Sequence, residues 1–187
     1  MGGGGDRSSP PLNIVIGAFS AANSQSAKSS NQDSAASWNK YSNKIITVGI
    51  TLYDLNINKE KVQVAASISK SDLCSDLVGE YPELQGVMGK YFALAQGFEE
   101  DVANSISDHY LPTGLTSELP KKPFSYSISI VDKIDTLVGF FVIDEKPTSS
   151  KDPFALRRAA IGLLRIIIEN KLVFKLRDLI SYTMRLY

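Results

Sequence analysis

The chain has 187 residues, and its 20 Lys plus Arg balance its 20 Asp plus Glu. That length suits one domain with a sizeable core and hardly two, and a net charge of zero gives no overall field toward nucleic acid. One Cys74 excludes an internal disulfide and fits a reducing, cytoplasmic setting, while one His109 excludes zinc sites built from several histidines or cysteines.

Residues 1–44 are rich in Gly, Ser, Asn, Ala and Gln. Such a stretch buries too little apolar surface to offset its ordering entropy, and disorder is expected. Its one short apolar run, NIVIGAF at 13–19, lacks the basic start and longer apolar centre of a signal peptide. Residues 45–55, IITVGITLYDL, are strand-like by their β-branched content but have no evident partner strand. We therefore place a boundary near residue 56, with a mostly disordered segment at 1–56 and a folded domain at 57–187.

From Lys59 the pattern turns helical. Lys59–Ser69 and Asp72–Gly79 are short amphipathic segments. Pro82 suits a first helical turn, and Leu84, Val87, Met88, Tyr91 and Leu94 recur at helical spacing, so a helix is expected from Pro82 to Gln96 with Gly97 ending it. Glu99–Tyr110 repeats the pattern with Val102, Ile106 and Tyr110 until Pro112 stops it. A loop with three prolines covers 111–123. Ser125–Val131 alternates polar and apolar, which by itself argues a strand. Asp152 followed by Pro153 reads as an N-cap carboxylate and a first-turn proline, opening a helix to about Asn170. A last helix is expected over Lys175–Leu186. The longest apolar runs, such as Ile161–Ile168, are interrupted by Gly162 and Arg165 and fall short of the roughly 20 residues that span a bilayer.

Catalytic patterns are scarce. His109 stands at a helix end, where an interaction with the carbonyl end of the dipole is the expected role. No phosphate-binding glycine loop occurs; Gly86 and Gly89 lie in a helical pattern and are expected to permit close packing. Asp132 and Asp135 are three apart and share a helix face. On a helical wheel of 152–170, Arg158, Gly162, Arg165 and Glu169 fall in one sector, read as the solvated face. Arg157 falls on the apolar side between Leu164 and Ile168, where a guanidinium needs a carboxylate, and Asp132 or Asp135 is the expected partner in a buried structural pair. Lys151, Arg158 and Arg165 remain as candidate phosphate contacts, with Lys121 and Lys122 nearby in the same basic set.

Four motifs at 80–94 (EYPELQGVMGKYFAL), 108–112 (DHYLP), 132–137 (DKIDTL) and 147–160 (PTSSKDPFALRRAA) carry a resemblance. Together they resemble the helical middle region of the bacterial-type glycyl-tRNA synthetase β subunit, over roughly Asp72 to Tyr187. The resemblance implies an all-α fold, a degenerate HD-domain-like bundle, and it favours a helix through 125–141 over the strand. It makes Asp132 the counterpart of the distant metal Asp of active HD phosphohydrolases. Lys70–Leu73 (KSDL) then falls where their His-Asp pair would be, with Asp72 kept and no histidine beside it. The fold is expected to be kept and the metal chemistry lost, so no catalytic or metal residue is expected.

In that family an α subunit activates glycine with ATP and Mg, and the β subunit supplies tRNA-binding modules in an α2β2 assembly. The resemblance thus implies a β-subunit fragment that contributes a scaffold for tRNA(Gly), binds no cofactor or membrane itself, and is inactive alone. The alternatives are a metal-dependent phosphohydrolase, disfavoured by the missing histidines, and a nonfunctional remnant.

Overall fold

A computed structural model describes residues 57–173 and 175–187; the disorder expected at 1–44 and the strand expected at 45–55 lie outside the described residues. Within them every regular element is helical. Seven α-helices follow in order: α1 (Lys59–Ile68), α2 (Asp76–Glu80), α3 (Val87–Ala95), α4 (Glu100–Asp108), α5 (Pro123–Val142), α6 (Leu156–Glu169) and α7 (Leu176–Met184). Two 3-10 turns, Ser71–Cys74 and Pro82–Leu84, flank α2. The all-α expectation holds. No described helix is long and apolar enough to cross a membrane.

α5 is the hub, packed against α1, α4, α6 and α7. Its 20 residues span about 30 Å, and from Ser125 to Val131 every side chain is buried. That explains the misleading alternation. A helix enclosed on all sides has no polar face, so its serines cannot point to water. They bond inward instead: Ser125 Oγ donates to Asp108 Oδ2 at 2.7 Å, Ser127 Oγ to the Pro123 carbonyl at 2.6 Å, and Ser129 Oγ to the Leu111 carbonyl at 2.7 Å.

The Pro82–Gln96 helix divides. Gly86 has φ 79°, which interrupts the run between the Pro82–Leu84 turn and α3. The apolar residues at helical spacing do not face the core, for Val87 and Tyr91 are exposed. The buried face of α3 holds Gly89 and Ala93, because small side chains let α3 press onto α4. A Cβ on Gly89 would stand 2.6 Å from Ile106 Cγ2, and one on Gly86 would stand 2.7 Å from Tyr110 Cδ2. Both glycines do permit close packing.

α6 also begins later than expected. Asp152 supplies the terminal carboxylate, accepting from the Leu156 N–H at 2.8 Å and the Arg157 N–H at 3.0 Å. Pro153 and Phe154 form a turn, and Ala155, with φ 54°, leads into the helix at Leu156.

The wheel sector read as solvated divides: Arg158 and Glu169 are exposed, but its part at Gly162 and Arg165 faces protein. The loop 111–120 folds over it: Pro112 Cγ approaches the position of a Gly162 Cβ to 3.1 Å, and Arg165 Nη1 donates to the carbonyls of Gly114 and Ser117 at 3.0 and 3.2 Å. Asn170 Nδ2 donates to the Pro120 carbonyl at 3.2 Å. Loop carbonyls that leave water need donors, and this polar stripe supplies them. The opposite flank is left outward, with Ile161, Leu164 and Ile168 exposed by 42%, 48% and 70%. Beside it an apolar groove of about 400 Å³ opens between α5, α6 and α7, lined by Ile134, Val138, Phe141, Leu163, Ile180 and Met184.

Candidate functional site

A buried charged centre lies where the Ser71–Cys74 turn, the start of α3, the end of α4 and the middle of α5 converge. The backbone reverses after α1, and this brings Lys70 back over the bundle. Lys70 Nζ stands 2.8 Å from Asp132 Oδ1 and 4.3 Å from the centroid of the Tyr110 ring. Both members of the ion pair are largely withdrawn from solvent, with side chains 16% and 15% exposed.

Asp72 is fully buried below. Its Oδ2 accepts from the Gly86 N–H at 2.5 Å, and the Gly89 amide also favours the charged carboxylate. Burial pushes its carboxyl above the ordinary value, against the pull of those two amides and of Lys70. Asp132 goes the other way. Burial opposes its charge, but Lys70 leads the groups that outweigh burial and hold it below the ordinary value.

His109, also fully buried, has Nδ1 2.7 Å from the Ile106 carbonyl. A carbonyl only accepts, so Nδ1 carries the proton and Nε2 keeps a lone pair, which has no hydrogen-bond partner. Burial, with Lys70 adding to it, lowers its pKa to about 3. The ring is therefore neutral. It does meet a helix-end carbonyl, as expected, but as an N–H donor rather than as an imidazolium on the dipole.

Lys133, adjacent to Asp132, is 5% exposed. Its ammonium donates to the Leu111 carbonyl at 2.8 Å, to Ser129 Oγ at 2.9 Å and to the His109 carbonyl at 3.3 Å, and burial brings its pKa down to about 8. It fastens the 109–112 corner to α5.

The expected buried pair between Arg157 and Asp132 or Asp135 is absent. Arg157 is exposed, and its Nη2 donates to the Thr148 carbonyl. Asp132 is taken by Lys70, and Asp135 Oδ1 accepts from the Tyr187 hydroxyl at 2.8 Å, with burial raising its pKa to about 6. The wheel failed here because α6 presents two apolar flanks, of which only one faces α5.

Of the candidate phosphate contacts, Lys151 and Arg158 are exposed, whereas Arg165 is half-buried, bonded to the loop and paired with Glu169 at 3.0 Å. Lys151 and Arg157 flank one turn: the Thr148 N–H donates to the Lys151 carbonyl at 2.9 Å, and the Lys151 N–H donates to Thr148 Oγ1 at 3.1 Å. Exposed cations thus gather at Lys151, Arg157 and Arg158. Lys122 is tied to Asp101 at 2.8 Å.

Sequence reasoning missed Lys70 and Lys133. The signal was present, since Lys70 lies two residues before Asp72 in KSDL and Lys133 adjoins Asp132 in DKIDTL, but a lone lysine carries no periodicity that marks it as buried. Among the described residues no three His, Cys, Asp or Glu side chains are grouped to hold a metal ion. The HD-type metal does not fit this centre: Lys70 takes the Asp132 carboxylate, and a single imidazole stands where the HD-type site uses several histidines.

Residues 27–187 match the family model of the glycyl-tRNA synthetase beta subunit. The chain belongs to that family. The match begins upstream of the boundary set near residue 56, so the stretch 27–56 falls within its span. Glycine–tRNA ligase beta subunits from Rhodospirillum centenum, Rickettsia canadensis and Janthinobacterium sp. are similar to it. Their identities are 53% over 113 residues, 49% over 130 and 47% over 127. These alignments cover 60%, 70% and 68% of this chain and 16%, 19% and 18% of the relatives. The chain thus spans less than a fifth of the length of these curated relatives.

Proposed function

We propose that the chain is a helical scaffold segment of a glycine–tRNA ligase β subunit, which contributes to holding tRNA(Gly) while an α subunit attaches glycine. Family membership over residues 27–187 carries the reading. In an α2β2 assembly, ATP and Mg serve the complete synthetase in the cytoplasm, and this segment has no part in that chemistry. The buried centre supports the division of labour, because Asp132 is paired with Lys70 and Asp72 is fully buried and bonded to the Gly86 amide, so neither is open to a substrate. A metal-dependent phosphohydrolase finds no support in such a centre.

The RNA-facing residues in this reading are Lys151, Arg157 and Arg158 at the start of α6. Arg157 takes the place first given to Arg165, whose guanidinium holds the loop. The outward apolar flank of α6 suits packing inside a larger subunit and not contact with phosphate. The test is binding of tRNA(Gly) by the full chain at two salt concentrations. Removing one phosphate-bound cation lowers the slope of log affinity against log salt by about 1, so Lys151→Ala/Arg157→Ala/Arg158→Ala lowers it by about 2–3. Equal affinity and equal slope for wild type and triple variant would remove these residues from the interface.

A further inference from the structure

The buried centre contains a cation, and the chain itself provides it. We infer that Lys70 is a tethered cationic ligand, its ammonium filling a buried cation-binding centre made by Asp132, Asp72 and the face of Tyr110. Asp132, Asp72 and the face of the Tyr110 ring are each electron-rich. Asp132 Oδ1 lies 2.8 Å from Lys70 Nζ, the Tyr110 ring centroid 4.3 Å from it, and the Asp72 carboxylate attracts the ammonium electrostatically.

Three buried polar atoms of the same centre have no hydrogen-bond partner, Asp72 Oδ1, His109 Nε2 and the Tyr110 hydroxyl, and Asp72 and His109 are 0% exposed. His109 lies tilted against Tyr110, its ring centroid 3.8 Å from the phenol's and the two planes 40° apart, and both Lys70 and Asp132 act on it. Acceptors left open in a protein interior are costly unless a positive charge stands among them. The second ammonium, Lys133, is turned to carbonyl oxygens and a hydroxyl and repels Lys70 rather than replacing it.

A divalent ion here would have to compete with an ammonium that already holds Asp132 at 2.8 Å, and would need water to complete its coordination. A primary ammonium needs fewer ligands. It brings its own covalent tether, so the centre stays filled whatever the metal supply. Lys70 follows the C-cap Ser69 of α1 and leads directly into the Ser71–Cys74 turn, so filling the centre also fixes how α1 is joined to Asp72.

Chemical complementation separates a cation site from an ordinary ion pair. In the full chain, Lys70→Gly removes the ammonium and leaves a cavity shaped for a short alkylammonium. Its Tm is expected to fall by on the order of 10 °C. Propylammonium chloride at tens of millimolar is expected to restore several degrees to Lys70→Gly, and none to wild type or to Lys70→Gly/Asp132→Asn. No gain over sodium chloride at equal ionic strength overturns the inference. So does a gain that survives Asp132→Asn, or one given by magnesium chloride and not by the amine.

If Lys70→Gly does not fold, Lys70→Met, Asp132→Asn and the double variant test the premise that the ammonium and this carboxylate are coupled. The double variant is expected to melt above Asp132→Asn alone, because removing both charges leaves neither unpaired; strictly additive losses overturn the assignment.

Discussion

The same substitution should have opposite effects at two glycines of this fold. In the interior of a helix, replacing Gly by Ala stabilises by up to about 1 kcal/mol, because the glycine chain has more freedom to lose. At Gly79, inside α2, an added Cβ meets nothing within 4 Å, so that gain should be realised. At Gly89, inside α3, the added Cβ would lie 2.6 Å from Ile106 Cγ2 and 3.1 Å from the Asp72 carboxyl carbon. Ile106 is β-branched, 1% exposed and on α4, which α1 and α5 hold from behind, so it has no free rotamer to retreat to. Asp72 is held by the Gly86 amide and cannot swing aside without breaking that bond.

Overpacking of this kind costs roughly 1–3 kcal/mol, and against neighbours that cannot retreat the upper half of that range applies, so that after the propensity gain Gly89→Ala is less stable by about 1–2 kcal/mol. Urea unfolding followed by circular dichroism, with both variants beside wild type, measures the two signs directly. A Gly89→Ala protein as stable as wild type, or a Gly79→Ala protein that loses as much as Gly89→Ala, would refute the packing argument.

Two other outcomes rest on particular side chains. His109, with a folded pKa of about 3 against an ordinary 6.5, leaves the folded state short of a proton that the unfolded chain binds between those values, so stability falls as pH drops through that window. Relative to His109→Gln, wild type should lose roughly 3 kcal/mol between pH 7 and pH 4, and parallel acid limbs would show that the ring is not held neutral. Arg165→Ala removes the donors to Gly114 and Ser117 and should cost about 1–2 kcal/mol, with faster amide exchange across 113–119; unchanged exchange there would mean that the loop stands without it.

What could be read from the residues was set by how local the cause was. α1 and α4 announce themselves because spacing and caps are local: Asn58 Oδ1 accepts from the Lys61 N–H at 3.0 Å to open α1, and Val102 and Ile106 face the core of α4 as their period requires. α5 was recovered through resemblance, since Ser125–Val131 is buried on all sides and shows no helical period. The faces of α3 and α6 were misread for one reason. An apolar stripe marks the buried side only when the whole surface is in contact with water, and here Val87, Tyr91, Leu164 and Ile168 form second stripes that the domain itself does not cover.

The charged centre was half legible. Asp72 and Asp132 were singled out, and they do act on one site, but the group that joins them is Lys70. Its burial depends on the turn after α1, a long-range event that no window of sequence contains. The Arg157 pairing failed for the same cause, because it presumed which flank of α6 met α5.

The outward ridge of Ile161, Leu164 and Ile168 has a practical consequence for handling the protein. A hydrocarbon strip on a helix whose other flank is already spent makes the molecule adhesive at one edge only, so crowding should drive side-by-side clumping before it drives unfolding. Light scattering that climbs with protein concentration and with ammonium sulfate, while the helical signal stays constant, is the behaviour this geometry dictates.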